Sequence, residues 1–239
     1  MKKKIKSGRR RRAAPVRKVS RENAVSGSPF RSLLFVAAVV FVLGIALYAR
    51  TREAAVVFVG GDVVALDPDS QYHIYRSQRT LADFPRVPAR EPLLNWPDGA
   101  FVPWAPGFDQ LLALPAFLAG APAGSLGARK IAARVPVGIG LACVALVMMI
   151  VLRAAPQAWR RPAAVAAGML AAVLPVCVLS SRVGRTDHHA FEALSLLAMT
   201  FLLIQREQRQ HRFVNLSPVK HATAGQQYGN PGHDSLRHR

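Results

Sequence analysis

Leu33-Leu34-Phe35-Val36-Ala37-Ala38-Val39-Val40-Phe41-Val42-Leu43-Gly44-Ile45-Ala46-Leu47-Tyr48 is an almost uninterrupted run of Leu, Val, Phe and Ala. It is close to the length a helix needs to cross about 30 Å of hydrocarbon, and with no clear small-residue cleavage site it reads as an uncleaved membrane anchor. Residues 1–31, just upstream, carry twelve Lys or Arg against the single acid Glu22, so the formal net charge of +19 is unevenly placed. Lys2-Lys3-Lys4 and Arg9-Arg10-Arg11-Arg12 have the chemistry to bind nucleic acid or anionic lipid. Standing immediately before a span, they are read as the charge that holds the N-terminus in the cytoplasm, and nucleic acid is not expected as a partner.

Threading outward from this anchor places residue 49 onward outside. Val135–Leu152 then returns to the cytoplasm and ends at Arg153, with Arg160 and Arg161 in the short loop beyond it. Ala163–Ser181 goes out and Ala190–Ile204 comes back to meet Arg206, Arg209 and Arg212, so positive charge falls on the inner side each time. The expected fold is an all-α polytopic membrane protein with four transmembrane helices and both termini cytoplasmic. The chain divides into three regions: a basic arm over 1–31, a transmembrane region over 32–208 with a large external loop at 49–130, and a polar tail over 209–239 expected to be disordered. Within the loop, Phe108–Ala119 is short for a span and interrupted by Pro115, so it is read as an interfacial or re-entrant helix. Trp96 and Trp104 flank Pro97-Asp98-Gly99 and suit the headgroup level. Cys143 and Cys177 lie in apolar runs and give neither a disulfide framework nor a metal signature.

The same threading brings two polar stretches to one face: Asp67-Pro68-Asp69-Ser70-Gln71-Tyr72-His73-Ile74-Tyr75-Arg76 and Gly184-Arg185-Thr186-Asp187-His188-His189-Ala190-Phe191-Glu192. Asp-Pro-Asp-Ser alone is ordinary turn chemistry. Tyr72-His73-Ile74-Tyr75-Arg76, directly after it, reads as a helix start bearing polar and aromatic groups at a membrane surface. In the second stretch Thr186 is expected to cap the next helix, with Asp187 in its first turn. A capped helix start does not explain why His188, His189 and Glu192 all stand at a membrane-entry position, where polar groups need partners. His188 and Glu192 are spaced to pair with each other, which leaves His189 free as a ligand. Acids and imidazoles converging from two segments point to a shared divalent-cation or phosphate site.

These two motifs resemble the catalytic subunit of oligosaccharyltransferases, polytopic glycosyltransferases of the GT-C fold. In that family an Asp precedes a Tyr/His/Arg-bearing helix in the first external loop, as Asp69 precedes Tyr72, His73 and Arg76. The second external loop carries Gly-x-x-Asp-x-Asp or, in archaeal-type members, Gly-x-x-Asp-His-His, which Gly184 to His189 matches. The resemblance covers roughly residues 30–208. It implies that Asp69, Asp187 and His189 hold a divalent cation, Mn²⁺ or Mg²⁺, and that Asp69 and Asp187 are catalytic, positioning the acceptor amide while the cation holds the donor pyrophosphate. Arg182 and Arg185 are either phosphate contacts or interfacial anchors. The implied partners are membrane lipids, a polyprenyl-linked glycan donor and an acceptor protein if the missing domain is supplied. The implied location is a prokaryotic inner or plasma membrane.

The chain departs from that family, whose members continue for many more spans to a soluble external domain and carry a later external loop with a further acidic residue. This chain's only tryptophans are Trp96, Trp104 and Trp159, so the Trp-Trp-Asp acceptor motif is absent, and after Gln210 the sequence changes to a Gly/His/Asn/Gln tail. On sequence alone it is read as a truncated or frame-disrupted fragment, inactive by itself. The competing readings are another GT-C transferase using a polyprenyl-linked sugar and a non-catalytic membrane protein whose basic arm binds lipid or nucleic acid.

Overall fold

A computed structural model of the chain describes residues 29–104 and 106–216, with side chains placed through residue 211. The basic arm before Pro29 and the tail beyond Leu216 lie outside the described residues. In chain order the elements are α1 (Pro29–Thr51), α2 (Ala54–Val57), β1 (Phe58–Val59), β2 (Asp62–Val63), α3 (Pro68–Ala82), β3 (Arg90–Glu91) and β4 (Ala100–Phe101). They continue as α4 (Gly107–Leu118), α5 (Leu126–Ala132), α6 (Val135–Ala154), α7 (Arg160–Val173), α8 (Pro175–Leu179) and α9 (His189–Leu216).

α1, α6 and α7 pack around Val42, Ala46, Val144, Met148, Ala164 and Ala172. Gly168 lets α7 come close here, because a Cβ in its place would meet Met148 Cγ at 2.5 Å. α9 lies along α6, and Ala190 joins Phe108, Leu112 and Ile139 in a separate cluster. The outward sides of α1 and α9 stay apolar, with Leu33, Val40 and Phe41 on the first and Leu196, Leu202 and Leu203 on the second all exposed. A bilayer would cover such surfaces; water would not.

Among the described residues, two helical runs qualify as membrane spans by length and composition, Pro29–Val57 and Leu126–Ala154. The expected third span is not one helix. α7 stops at Val173, and Leu174 adopts φ −58°, ψ 124° ahead of Pro175, which opens α8. Proline lacks the amide hydrogen and disfavours helical geometry in the residue before it, so the apolar run is broken there. α9 begins one residue before the expected fourth span and continues to Leu216.

The all-α expectation needs correction in the external loop: the described chain is mostly helical, with two short antiparallel ribbons. β1 pairs with β2 (Phe58 opposite Val63), and β3 with β4 (Arg90 opposite Phe101). Gly60 and Gly61, both at positive φ, form the two-residue turn that a tight hairpin requires. α4 retains Pro115 inside it and packs on α3 and α5 through Leu81, Ala113, Ala116 and Ala128. The loop therefore has a core of its own.

Candidate functional site

The segment from Ser181 to His188 is tied to three parts of the chain by its backbone. Val183 N donates to Arg50 O at 2.9 Å, Gly184 N to Ala133 O at 2.9 Å, and Gly184 O accepts from Leu66 N at 3.3 Å. Gly184 sits at φ +77°, and a Cβ there would meet both Val57 methyls at 2.8 Å, so conformation and space both require glycine. Two side chains then join the acid-bearing stretches directly. Thr186 Oγ1 donates to Ser70 O at 2.6 Å, and Arg185 Nη1 lies 3.0 Å from Asp67 Oδ2 while its Nη2 lies 3.5 Å from Asp187 Oδ2.

Asp67 caps α3, accepting from Ser70 N at 2.9 Å and Ser70 Oγ at 2.8 Å. It is the structural member of the Asp67/Asp69 pair. Asp69 is exposed in the first turn of α3, beside Ser70.

Asp187 is almost fully buried and stands between two imidazoles. Its Oδ1 lies 3.0 Å from His188 Nδ1 and its Oδ2 lies 3.6 Å from His189 Nε2. One ligand atom from each of Asp187, His188 and His189 falls within 4.8 Å of the others, and Asp69 is not in that group. The structure thus brings Asp187 and His189 together and adds His188. Glu192 is shared, 3.7 Å from His188 Nε2 and 3.2 Å from His189 Nδ1. Thr186 is not the helix cap expected from sequence: α9 starts at His189, and the amides of Phe191 and Glu192 bond to His188 O. Asp187 precedes the helix, and Thr186 is spent on the tie to Ser70.

The two arginines are engaged by acids. Arg182 pairs with Glu53, and Arg185 bridges Asp67 and Asp187. Either would have to leave a carboxylate to meet a phosphate.

Behind His188 is a layer of which the sequence marks His73 and Arg76 but not their partner Asp109. His73 Nδ1 lies 2.8 Å from Asp109 Oδ1, and Arg76 Nη2 lies 3.3 Å from Asp109 Oδ2 and donates to Pro88 O at 3.1 Å. His73, Arg76 and Asp109 are 2%, 1% and 0% exposed, so this is a charge cluster fully withdrawn from solvent. The His73 ring meets Phe108 edge-on at 5.0 Å and His188 at 5.8 Å between centroids, which links it to the acid–imidazole group. Tyr72 and Trp104 close the same side, 5.5 Å apart. Burial pushes the Tyr72 phenol above its usual pKa, with the nearby Arg76 opposing, and its hydroxyl has no hydrogen-bond partner among the described residues. The available signal is Asp109 itself, an acid in the first turn of an otherwise apolar helix. Such a group needs a partner when buried.

No family model matches the chain. Two curated proteins of Archaeoglobus fulgidus do: dolichyl-phosphooligosaccharide-protein glycotransferase 1, 26% identical over 175 residues, and glycotransferase 2, 31% identical over 136 residues. They cover 73% and 56% of this chain, but the chain spans only 27% and 21% of their lengths. Among solved structures, archaeal oligosaccharyltransferase AglB from A. fulgidus, in complex with an inhibitory peptide and a dolichol-phosphate, superposes with a TM-score of 0.65 at 21% identity, covering 74% of this chain and 20% of that one. The A. fulgidus oligosaccharyltransferase in complex with Zn and sulfate gives 0.64 at 21% identity, covering 70% and 21%. The chain resembles part of an oligosaccharyltransferase catalytic subunit. The likeness in fold covers about three quarters of this chain, and oligosaccharyltransferase relatives are membrane proteins.

Proposed function

We propose that this chain forms the cation-holding part of an oligosaccharyltransferase-like enzyme that moves a glycan from a polyprenyl-(pyro)phosphate donor to a protein asparagine. The observation that carries this reading is the direct bonding of the two acidic motifs through Thr186–Ser70 and Arg185–Asp67. Residues 116 apart in sequence thereby share one site. The dolichol-phosphate and peptide of the AglB complex support the donor and acceptor classes, and the Zn and sulfate of the second structure support a cation and a phosphate-like anion as ligands. The candidate ligands fit a metal ion: Asp187 Oδ1 and His188 Nδ1 are buried 3.0 Å apart, and among the described residues neither atom makes a hydrogen bond of good geometry.

Asp187 and His189, joined by His188 and by Asp69 from α3, are proposed to hold the ion. An imidazole-containing donor set suits a transition-metal ion better than Mg²⁺, which prefers oxygen ligands and retained water, and Mn²⁺ serves as the probe ion. Bound there, the cation would supply positive charge to the departing phosphate oxygens. The carboxylates of Asp69 and Asp187 would accept N–H hydrogen bonds from the acceptor amide, orienting a nitrogen that is otherwise a poor nucleophile. The burial of Asp187 strengthens both effects by excluding water. We further infer that α7–α8 and α9 complete four crossings, with both termini on the cytoplasmic side.

Two outcomes test this. Mn²⁺ at about a hundred times its dissociation constant should stabilise the detergent-solubilised chain by about 2.7 kcal/mol. Asp187→Ala should abolish that response and Asp69→Ala should weaken it. A parent-like Mn²⁺ response in Asp187→Ala removes the proposed ligand. In the second test the 239-residue chain, which contains no Trp-Trp-Asp motif, is incubated with a polyprenyl-linked glycan and a sequon peptide. No transfer is expected, and glycopeptide formation by this chain alone would show that the acceptor is held by other means.

A further inference from the structure

The opposite end of the helix bundle carries a second feature of different chemistry. The N-terminal parts of α1 and α7 line a groove of ≈ 810 Å³. Leu34, Phe35 and Met169 supply apolar wall, and Arg31, Arg160 and Arg161 stand at the mouth. From Arg31 to Arg50, near which the Ser181–Asp187 segment is anchored, α1 rises about 28 Å at 1.5 Å per residue. The groove therefore opens about one hydrocarbon thickness away from the candidate active site, at the other headgroup level.

Charge distinguishes the two ends. Near the acid–imidazole group, Arg76, Arg79, Arg129, Arg182 and Arg185 all face carboxylates within 4 Å. Among the described residues, Arg31, Arg160 and Arg161 face none, and no acid lines the groove. Arg161 instead places its guanidinium 5.4 Å from the Phe35 ring centroid and donates from Nη1 to Arg31 O at 3.5 Å. The first turn of α7 opens at the same place without a side-chain cap. Guanidinium donors and helix-end amides above an apolar slot match a phosphodiester attached to acyl chains. The basic N-terminal arm is a poor occupant because its charge has the same sign.

We propose that this groove binds one anionic phospholipid, its phosphate held by Arg160 and Arg161 and its first methylenes against Leu34, Phe35 and Met169. The site is independent of the metal-binding reading. It binds a lipid of the bilayer, on the side opposite the proposed chemistry, and pins the start of α7 against α1. Basic pockets between membrane helices recognise anionic headgroups in this way.

The test uses the full chain in detergent, titrated with short-chain phosphatidylglycerol, phosphatidylcholine or inorganic phosphate while thermal stability is followed. Phosphatidylglycerol should stabilise and the other two should not. The paired change Arg160→Gln with Arg161→Gln should weaken phosphatidylglycerol by about tenfold or more. The paired change Arg206→Gln with Arg209→Gln removes the same charge from α9 and should leave the titration nearly parental. Ala166→Trp, which fills the groove and keeps every charge, should act like the first pair; it decides the matter if that pair does not fold. Equal weakening by both charge pairs would mean diffuse attraction to a basic face. A matching response to inorganic phosphate, or parental binding by Ala166→Trp, would equally overturn a lipid site.

Discussion

Asp109→Ala is expected to lower stability by about 3–5 kcal/mol, the cost of removing one partner from a buried charge cluster. The residue is 0% exposed and faces both His73 and Arg76. Among the described residues Nε and Nη1 of Arg76 already lack hydrogen-bond partners, so without the carboxylate the cation would keep Pro88 O as its hydrogen-bond acceptor and the Tyr72 ring at 5.8 Å. Desolvating a guanidinium with one neutral acceptor is unfavourable, and the loop core that α4 builds with α3 would have to open to hydrate it. Asp109→Asn keeps the shape and one acceptor oxygen and should lose roughly half as much. The effect should also reach the proposed cation site, because the His73 ring lies 5.8 Å from that of His188. Mn²⁺ affinity should therefore fall in Asp109→Ala although Asp109 is not a ligand. Thermal unfolding in detergent with and without Mn²⁺ reads both effects. A loss of under about 1 kcal/mol would mean that Arg76 finds another partner.

The contrast between Asp187 and Asp109 shows what is legible in the sequence. Asp187 announces itself through its neighbours, two histidines and a glutamate at a membrane-entry position. Asp109 sits alone in an apolar helix and finds its partners on another helix, 36 residues away from His73. α1 and α6 are legible for a simple reason: an unbroken apolar run of that length has few other fates. α7 is less so, because its run stays apolar on both sides of Pro175. The proline, though a signal for a break, does not by itself tell a kink from the helix end seen at Val173. The pair Asp67 and Asp69 stands out as two acids, yet Asp67-Pro68 is also the pattern of a cap with proline at the first helical position. Thr186 looks like a cap because caps are local, whereas its actual acceptor, Ser70 O, is far away in sequence. Pairings of this kind are set by packing and leave no periodic trace in the chain.

Arg50 shows the same limit most clearly, and its replacement should be the second large effect. The last basic residue of α1, it stands at the end of an apolar run with nothing in the sequence to mark it, and it is 1% exposed. Its Nε donates to Ser181 Oγ at 2.8 Å, Nη1 to Ala46 O and Ala172 O at 3.1 Å each, and Nη2 to Ala171 O at 3.4 Å and Cys177 O at 3.3 Å. The break before Pro175 explains this set. Ala171 would ordinarily accept from the amide of residue 175, which proline lacks, and the turn at Leu174 removes the regular partner of Ala172 as well. Among apolar helices no water replaces those bonds, so the guanidinium does. Gly140 on α6 makes room for it, since a Cβ there would fall inside van der Waals contact of Arg50 Nε and Ser181 Oγ. Arg50→Leu leaves several acceptors stranded at about 1–3 kcal/mol each, and a total loss of about 3–5 kcal/mol is expected after local rearrangement. Arg50→Lys should fall between, because a single ammonium cannot span acceptors on three segments. Ser181 begins the segment that ends at Asp187, so the Mn²⁺ response should decline in the same order, parent, lysine, leucine. If the leucine variant melts like the lysine variant, the fanned guanidinium is not what closes the break, and Asp187 is positioned by its backbone ties alone.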